Sequence, residues 1–371
     1  NNATQAQYEV GSTMKPFALL SAVQEGVSLN TVFNGNSYRT FPGITSTVSN
    51  FGNENYGYIN LYRATALSSN TVFMDLQTKL GTKKIAETAR TAGVESTSLD
   101  GSEPFTVLGN NALTVNDMTA AYATLANQGN KPTLHIVASV KSPAGKDLYL
   151  APSSTERVFQ ANDTNLVTKA LTGVVQSGTA TEALNVGHTI AGKSGTSNNS
   201  YAASFCGYTP SVVSVFSMWY PDANGNPQQI PAFGQWTGGS DYPVHLFTQY
   251  MKQALAGTTN EVFPTAKDNG KVGGSDGTWG TGYSSSYSYS YRSYGWNSTG
   301  STNSNSSTTG NNGTDTNSGT TSGGTDTGGN ATDNSGGANT GTGGTNTGGT
   351  TDNSGGTGGE SNSGGTTGGT E

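Results

Sequence analysis

The 371 residues include 53 glycines and only 32% hydrophobic residues, too few apolar side chains for a chain that is globular throughout. The deficit lies in residues 297–371, which use only Asn, Ser, Thr, Gly, Asp, Ala and Glu; such a segment cannot bury enough apolar surface to offset its ordering entropy and is expected to be a disordered tail. Its six acids, taken from a formal charge of −7, leave the rest near −1, which excludes the basic footprint of a nucleic-acid binder.

A single cysteine, Cys206, excludes an intrachain disulfide. Three histidines, His135, His188 and His245, are few for a metal site, and no cofactor is expected. No run of about 18 apolar residues is present to span a membrane. The chain starts at Asn1 rather than Met and reads as a fragment or processed product.

In chain order, the first element is a helix over 12–26, opened by a capping Ser12 and closed at Gly26, with Pro16 confined to the first turn because it lacks an N–H. Met14, Phe17, Ala18, Leu20 and Val23 leave it little polar face, so it should be buried. Further helices are predicted at 71–80, 83–92, 115–127, 163–176 and 244–256. Strands are predicted at 133–140 and 146–150, joined by Pro143-Ala144-Gly145, and at 188–194, 203–208 and 211–219. Consecutive apolar strands followed by a helix indicate an α/β (α+β) fold in which an antiparallel sheet is sandwiched by helices. Residues 278–296 alternate Tyr and Trp with Ser and Gly and read as a linker.

Ser12 and Lys15 are three residues apart at a helix start, and positions i and i+3 share a face. A serine hydroxyl becomes a good nucleophile only when a neighbouring base takes its proton, and a lysine can do so only when neutral. From a pKa of ~10.4, a lysine is neutral about once in 2,500 at pH 7, a cost of roughly 4.6 kcal/mol. Burial lowers a lysine pKa by ~3–5 units and would remove most of that cost. Taken alone, Ser-x-x-Lys is a weak signal. Two further patterns accompany it: Ser68-Ser69-Asn70 just before a helix, and Gly192-Lys193-Ser194-Gly195-Thr196 ending an apolar strand.

In this order and these contexts the three motifs resemble the transpeptidase domain of class A penicillin-binding proteins. Gly11-Ser12-Thr13-Met14-Lys15-Pro16, residues 113–127, Gln176-Ser177-Gly178-Thr179-Ala180 and Gly207-Tyr208-Thr209-Pro210 also look like the family's connecting sequence. The resemblance implies a penicillin-binding protein/β-lactamase-like serine acyltransferase fold over residues 1–266, lacking its N-terminal strands, a linker over 267–296 and the tail over 297–371. It implies a D,D-transpeptidase that cross-links peptidoglycan stem peptides through an acyl-enzyme on Ser12 and is inhibited by β-lactams. Lys15 would be the base and Ser68 the proton relay. Asn70 would hold Lys15 and a substrate amide, and Lys193 would supply positive charge. Ser194 and Thr196 would bind the substrate carboxylate, and Gly195 would leave room for a substrate strand at the sheet edge. The oxyanion would lie between the N–H groups of Ser12 and Thr196. Peptidoglycan stem peptides, lipid-linked glycan strands, β-lactam antibiotics and cell-division or elongation proteins are the implied partners. The implied location is extracytoplasmic, at the cell surface, anchored through a membrane segment upstream of this chain; such tails accompany the Gram-positive type.

The chain departs from the family's pattern in three places. Ser194 stands where the family usually has Thr, so the methyl that would fix the hydroxyl rotamer is missing. The strand at 203–208 carries Ala203-Ser204-Phe205-Cys206 where the family usually places a bulkier Trp-Phe pair, with Cys206 expected to fill core. Eleven residues precede Ser12, so an unpaired strand edge is expected in the sheet. The alternatives are a β-lactam sensor or a β-lactamase-like serine acylase. For the latter, Glu103-Pro104 imitates a deacylation loop but has Val107 where that loop needs Asn.

Overall fold

The structure is a computed structural model and describes residues 1–232 and 238–281. Within them the periodic apolar segments become helices α1 (Lys15–Gln24), α2 (Leu61–Ala66), α3 (Asn70–Leu80), α4 (Thr82–Ala92), α5 (Val115–Ala126), α6 (Ala161–Ser177) and α7 (Tyr242–Ala254). Five of these lie within two residues of the predicted spans. Local chemistry sets the ends. Thr114 and Asp117 form a reciprocal capping box on α5, and the Ser69 hydroxyl accepts from Val72 N at the start of α3. Helix α2 escapes the sequence reading because six residues are too few to show a 3.6 period.

The strands are β1 (Tyr8–Glu9), β2 (Val32–Asn34), β3 (Tyr58–Asn60), β4 (Ala112–Leu113), β5 (Asn130–Pro132), β6 (Ser139–Lys141), β7 (Asp147–Leu150), β8 (Thr155–Arg157), β9 (Ala191–Thr196), β10 (Ala202–Tyr208), β11 (Val213–Pro221) and β12 (Pro227–Gln228). The largest sheet is antiparallel, in the order β12-β11-β10-β9. Every residue of β10 is buried, as expected of a central strand covered on both faces. Its side chains alternate between two helical layers. Phe205 packs edge-on against Phe247 of α7 at 4.8 Å, while Tyr208 meets Tyr122 of α5 at 6.3 Å and hydrogen-bonds Thr168 of α6 at 2.9 Å. The sheet is therefore sandwiched by helices. Along β11 the edge opposite β10 pairs only at Tyr220 and Pro221. From Val213 to Trp219 that edge has no strand partner among the described residues.

Two strand expectations are corrected. Of the span 133–140 only Ser139 and Val140 are in a strand. The segment lies exposed, and β-branched residues favour strands only where a sheet surface covers them. The strand expected at 188–194 starts later, at Ala191, and runs through Thr196, so the Lys193 motif forms the C-terminal part of β9.

Residues 267–281, placed in the linker by the sequence reading, pack against the domain. Asp268 accepts from Ser28 Oγ at 2.8 Å and Leu29 N at 3.0 Å, Thr281 N donates to Val32 O at 3.0 Å, and Trp279 is 7% exposed within the core. The remaining linker residues and the tail lie outside the described residues.

Candidate active site

Ser12 does not cap α1. The helix has Met14 at its N-cap with no side-chain bond, and Ser12 lies instead in a preceding 3₁₀ turn, Gly11–Met14. This corrects the sequence reading, and its cause is local: Lys15 N donates to Ser12 O, closing a three-residue turn. In 3₁₀ geometry residues i and i+3 eclipse, so Ser12 and Lys15 share a face. Tyr122 OH donates to Thr13 O at 2.8 Å, and Gly11 N donates to Gly109 O at 3.1 Å, fixing the turn from two sides. Gly11 has φ +59°, and a Cβ there would lie 2.7 Å from Thr196 O. Glycine thus lets the nucleophile turn lie directly against β9.

Gly195 is part of the same contact. A Cβ there would fall 2.5 Å from Val10 O and 2.8 Å from Thr13 Cγ2. The residue keeps the nucleophile turn close to the strand.

Ser68 follows α2 in a Schellman turn. Ser69 N donates to Ala64 O at 2.9 Å and Ser68 N to Thr65 O at 3.1 Å, and Ser68 has φ +56°. That left-handed position usually belongs to glycine; a side chain there costs roughly 1–2 kcal/mol. The turn aims Ser68 at both lysines. Lys15 Nζ donates to Ser68 O at 2.7 Å, to Ser68 Oγ at 3.2 Å and to Asn70 Oδ1 at 2.8 Å. Lys193 Nζ donates to Ser68 Oγ at 2.7 Å and to Ser194 O at 2.9 Å. None of the Lys15 bonds among the described residues goes to Ser12. Asn70 Nδ2 donates to Ser49 O at 2.8 Å, which orients its amide oxygen toward Lys15.

Both lysines are wholly buried, whereas Ser12, Ser68, Asn70 and Thr196 are partly exposed. Burial and the neighbouring Lys193 charge push Lys15 well below the ordinary lysine range. Burial lowers Lys193 to about 7. Two ammonium groups around one serine repel, so below about pH 7 the favoured state has Lys15 neutral and Lys193 charged. In that state Ser68 Oγ can accept from Lys193 and donate to the Lys15 lone pair, which satisfies all three groups. Cys206, paired with Lys193 across β9 and β10, has its thiol pushed up by burial and packs in the core.

Ser194 Oγ is 2.6 Å from Thr179 Oγ1, and Thr196 Oγ1 accepts from Gly239 N at 2.8 Å. All the residues singled out from sequence therefore converge on one place. Sequence reasoning missed Asn50 as a support. Its buried side chain donates to Gly35 O and Glu54 O and accepts from Ser69 Oγ at 3.0 Å, tying the loop before β3 to the Ser68 turn. No periodic or spacing signal marks a lone Asn in an irregular loop.

Residues 1–232 match the penicillin binding protein transpeptidase domain family. Similar relatives include penicillin-binding protein 1A of Mycobacterium tuberculosis, 31% identical over 73% of this chain and 35% of that protein. Penicillin-binding protein 1A of Rickettsia conorii is 28% identical over 68% of this chain and 34% of its own length. The chain thus spans about a third of the length of these relatives. Among solved structures, the Mycobacterium tuberculosis PonA1 protein in complex with penicillin V is 29% identical, with a TM-score of 0.60 over 73% of this chain and 74% of that one. Penicillin-binding protein 1A from Haemophilus influenzae shares the fold, with a TM-score of 0.63 at 22% identity over 71% of this chain and 45% of that one. With its three motifs gathered beside the edge strand β9, the chain belongs to the penicillin-binding protein transpeptidase domain family.

Proposed function

We propose that this chain is a serine D,D-transpeptidase that cross-links peptidoglycan stem peptides and is acylated by β-lactams. The observation that carries the reading is the placement of Ser68 Oγ between the buried Lys15 and Lys193 amines, at 3.2 and 2.7 Å, beside the Ser12 turn. Neutral Lys15 takes the Ser12 proton as Ser12 Oγ attacks the carbonyl carbon between two D-alanines. The resulting oxyanion sits between the N–H groups of Ser12 and Thr196, whose backbones the Gly11 contact holds together. Ser68 passes its proton to the departing amine and takes the Ser12 proton from Lys15, while charged Lys193 holds its oxygen. The bond to the terminal D-alanine breaks, leaving an ester on Ser12. An amine of a neighbouring stem attacks that ester and gives up a proton to Ser68, the Ser12–carbonyl bond breaks as the new amide forms, and Lys15 returns a proton to Ser12 Oγ. Ser194 and Thr196 hydroxyls donate to the substrate carboxylate, and Asn70 holds Lys15 and a substrate amide.

Both substrate and product lie in the wall, so the chain works outside the cytoplasm, held at the membrane by a segment of the longer protein. Glycan strands and cell-division or elongation proteins are the partners of that longer protein. The testing experiment incubates the chain with a D-Ala-D-Ala-terminated peptide and a separate amine acceptor. Appearance of the new amide is expected. Acylation without transfer would indicate a sensor, and hydrolysis alone a β-lactamase-like enzyme.

A further inference from the structure

The loop after α6 is joined to α2 at three successive residues. Arg63 Nη1 donates to Ser177 O at 2.9 Å. A Cβ on Gly178 would fall 2.2 Å from Ala66 O, and Thr179 N donates to Ala66 O at 3.2 Å. Ala66 stands two residues before Ser68, so Thr179 is fixed to the same turn that presents the relay serine. Its hydroxyl reaches the other way, to Ser194 Oγ at 2.6 Å.

Ser194 is 6% exposed and lacks the methyl that restricts a threonine rotamer. A serine hydroxyl can donate one proton and accept at two lone pairs. When its proton goes to an anion, its oxygen is the acceptor for Thr179. The two bonds then reinforce one another, because an oxygen polarised by an incoming donor is itself a better donor. We propose that Thr179 is a positioning residue for the reaction described above: its hydroxyl donates to Ser194 Oγ and aims the Ser194 proton at the substrate carboxylate, doing by hydrogen bond what a methyl at position 194 would do by packing. The inference rests on the transpeptidase reading.

The test compares acylation rates of wild type, Thr179→Val, Thr179→Ser and Thr179→Val/Ser194→Thr by one penicillin and by its methyl ester, in which the anion is removed. Thr179→Val should acylate about five- to tenfold more slowly with the acid, as expected for losing one polar contact, and within about twofold of wild type with the ester. Thr179→Ser should behave as wild type, and Ser194→Thr should restore part of the rate in the double variant. Equal losses with acid and ester, or no loss with the acid, would overturn the positioning role alone. A wild-type chain that neither compound acylates would overturn the proposed function, and this inference with it.

Discussion

Ser68 Oγ lies 2.7 Å from Lys193 Nζ, and the serine that makes this contact occupies a left-handed backbone position, φ +56°. Glycine would suit the turn better, but it would leave two buried lysines without the shared hydroxyl. The strain therefore accompanies a group the site needs.

That strain is separable from the chemistry. Ser68→Ala and Ser68→Gly both remove the hydroxyl, and only alanine keeps the unfavourable φ. Both should acylate at least about a hundredfold more slowly with penicillin. The glycine variant should be more stable than the alanine variant by about 1–2 kcal/mol in denaturant unfolding. Equal stabilities would mean that the turn imposes no strain.

Charge alone does not explain Lys15. Lys15→Arg keeps a cation but cannot act as a base near neutral pH, so acylation should fall by about a hundredfold or more. Lys193→Arg should be milder, since that position supplies positive charge. Equal losses in stopped-flow acylation would contradict this division.

The buried lysines also give stability a definite pH dependence. Lys193 titrates near 7 when folded and at the ordinary lysine value when unfolded, so between these values the unfolded chain binds more protons. Stability from this group therefore rises with pH above about 7. The melting temperature should increase from pH 7 to about pH 9.5, below the ordinary tyrosine range, and the increase should shrink in Lys193→Met. A slope unchanged in that variant would show that Lys193 keeps its charge when folded.

Removing residues 297–371 should leave melting temperature and acylation unchanged, because that segment has no apolar residue larger than Ala. Removing 267–371 should cost at least about 3 kcal/mol, the scale of losing one buried Trp, since Trp279 and the Asp268 bonds to Ser28 and Leu29 go with it. Calorimetry of the two truncations distinguishes them.

Much of the site is legible in sequence because its residues come in short spaced motifs. Ser12 and Lys15 sit one turn apart, and the Lys193 motif continues an apolar strand. The long helices show for the same reason, through period and caps. What stays hidden depends on tertiary closeness. Nothing local says that Gly195 is required by the backbone of Val10, or that Thr179 reaches Ser194. The packing of Trp279 is hidden too, because a Ser/Gly-rich surrounding resembles a linker whether or not a core receives its aromatic ring. Helix α2 was invisible by length, yet its C-terminal turn is what presents Ser68.

The central claim is that Ser12 is the one acylated residue. Intact mass after incubation with a penicillin should rise by the mass of one penicillin in wild type, with the adduct on the peptide containing Ser12, and should not change in Ser12→Ala. An adduct persisting in Ser12→Ala, or mapping to Ser68, would contradict the account.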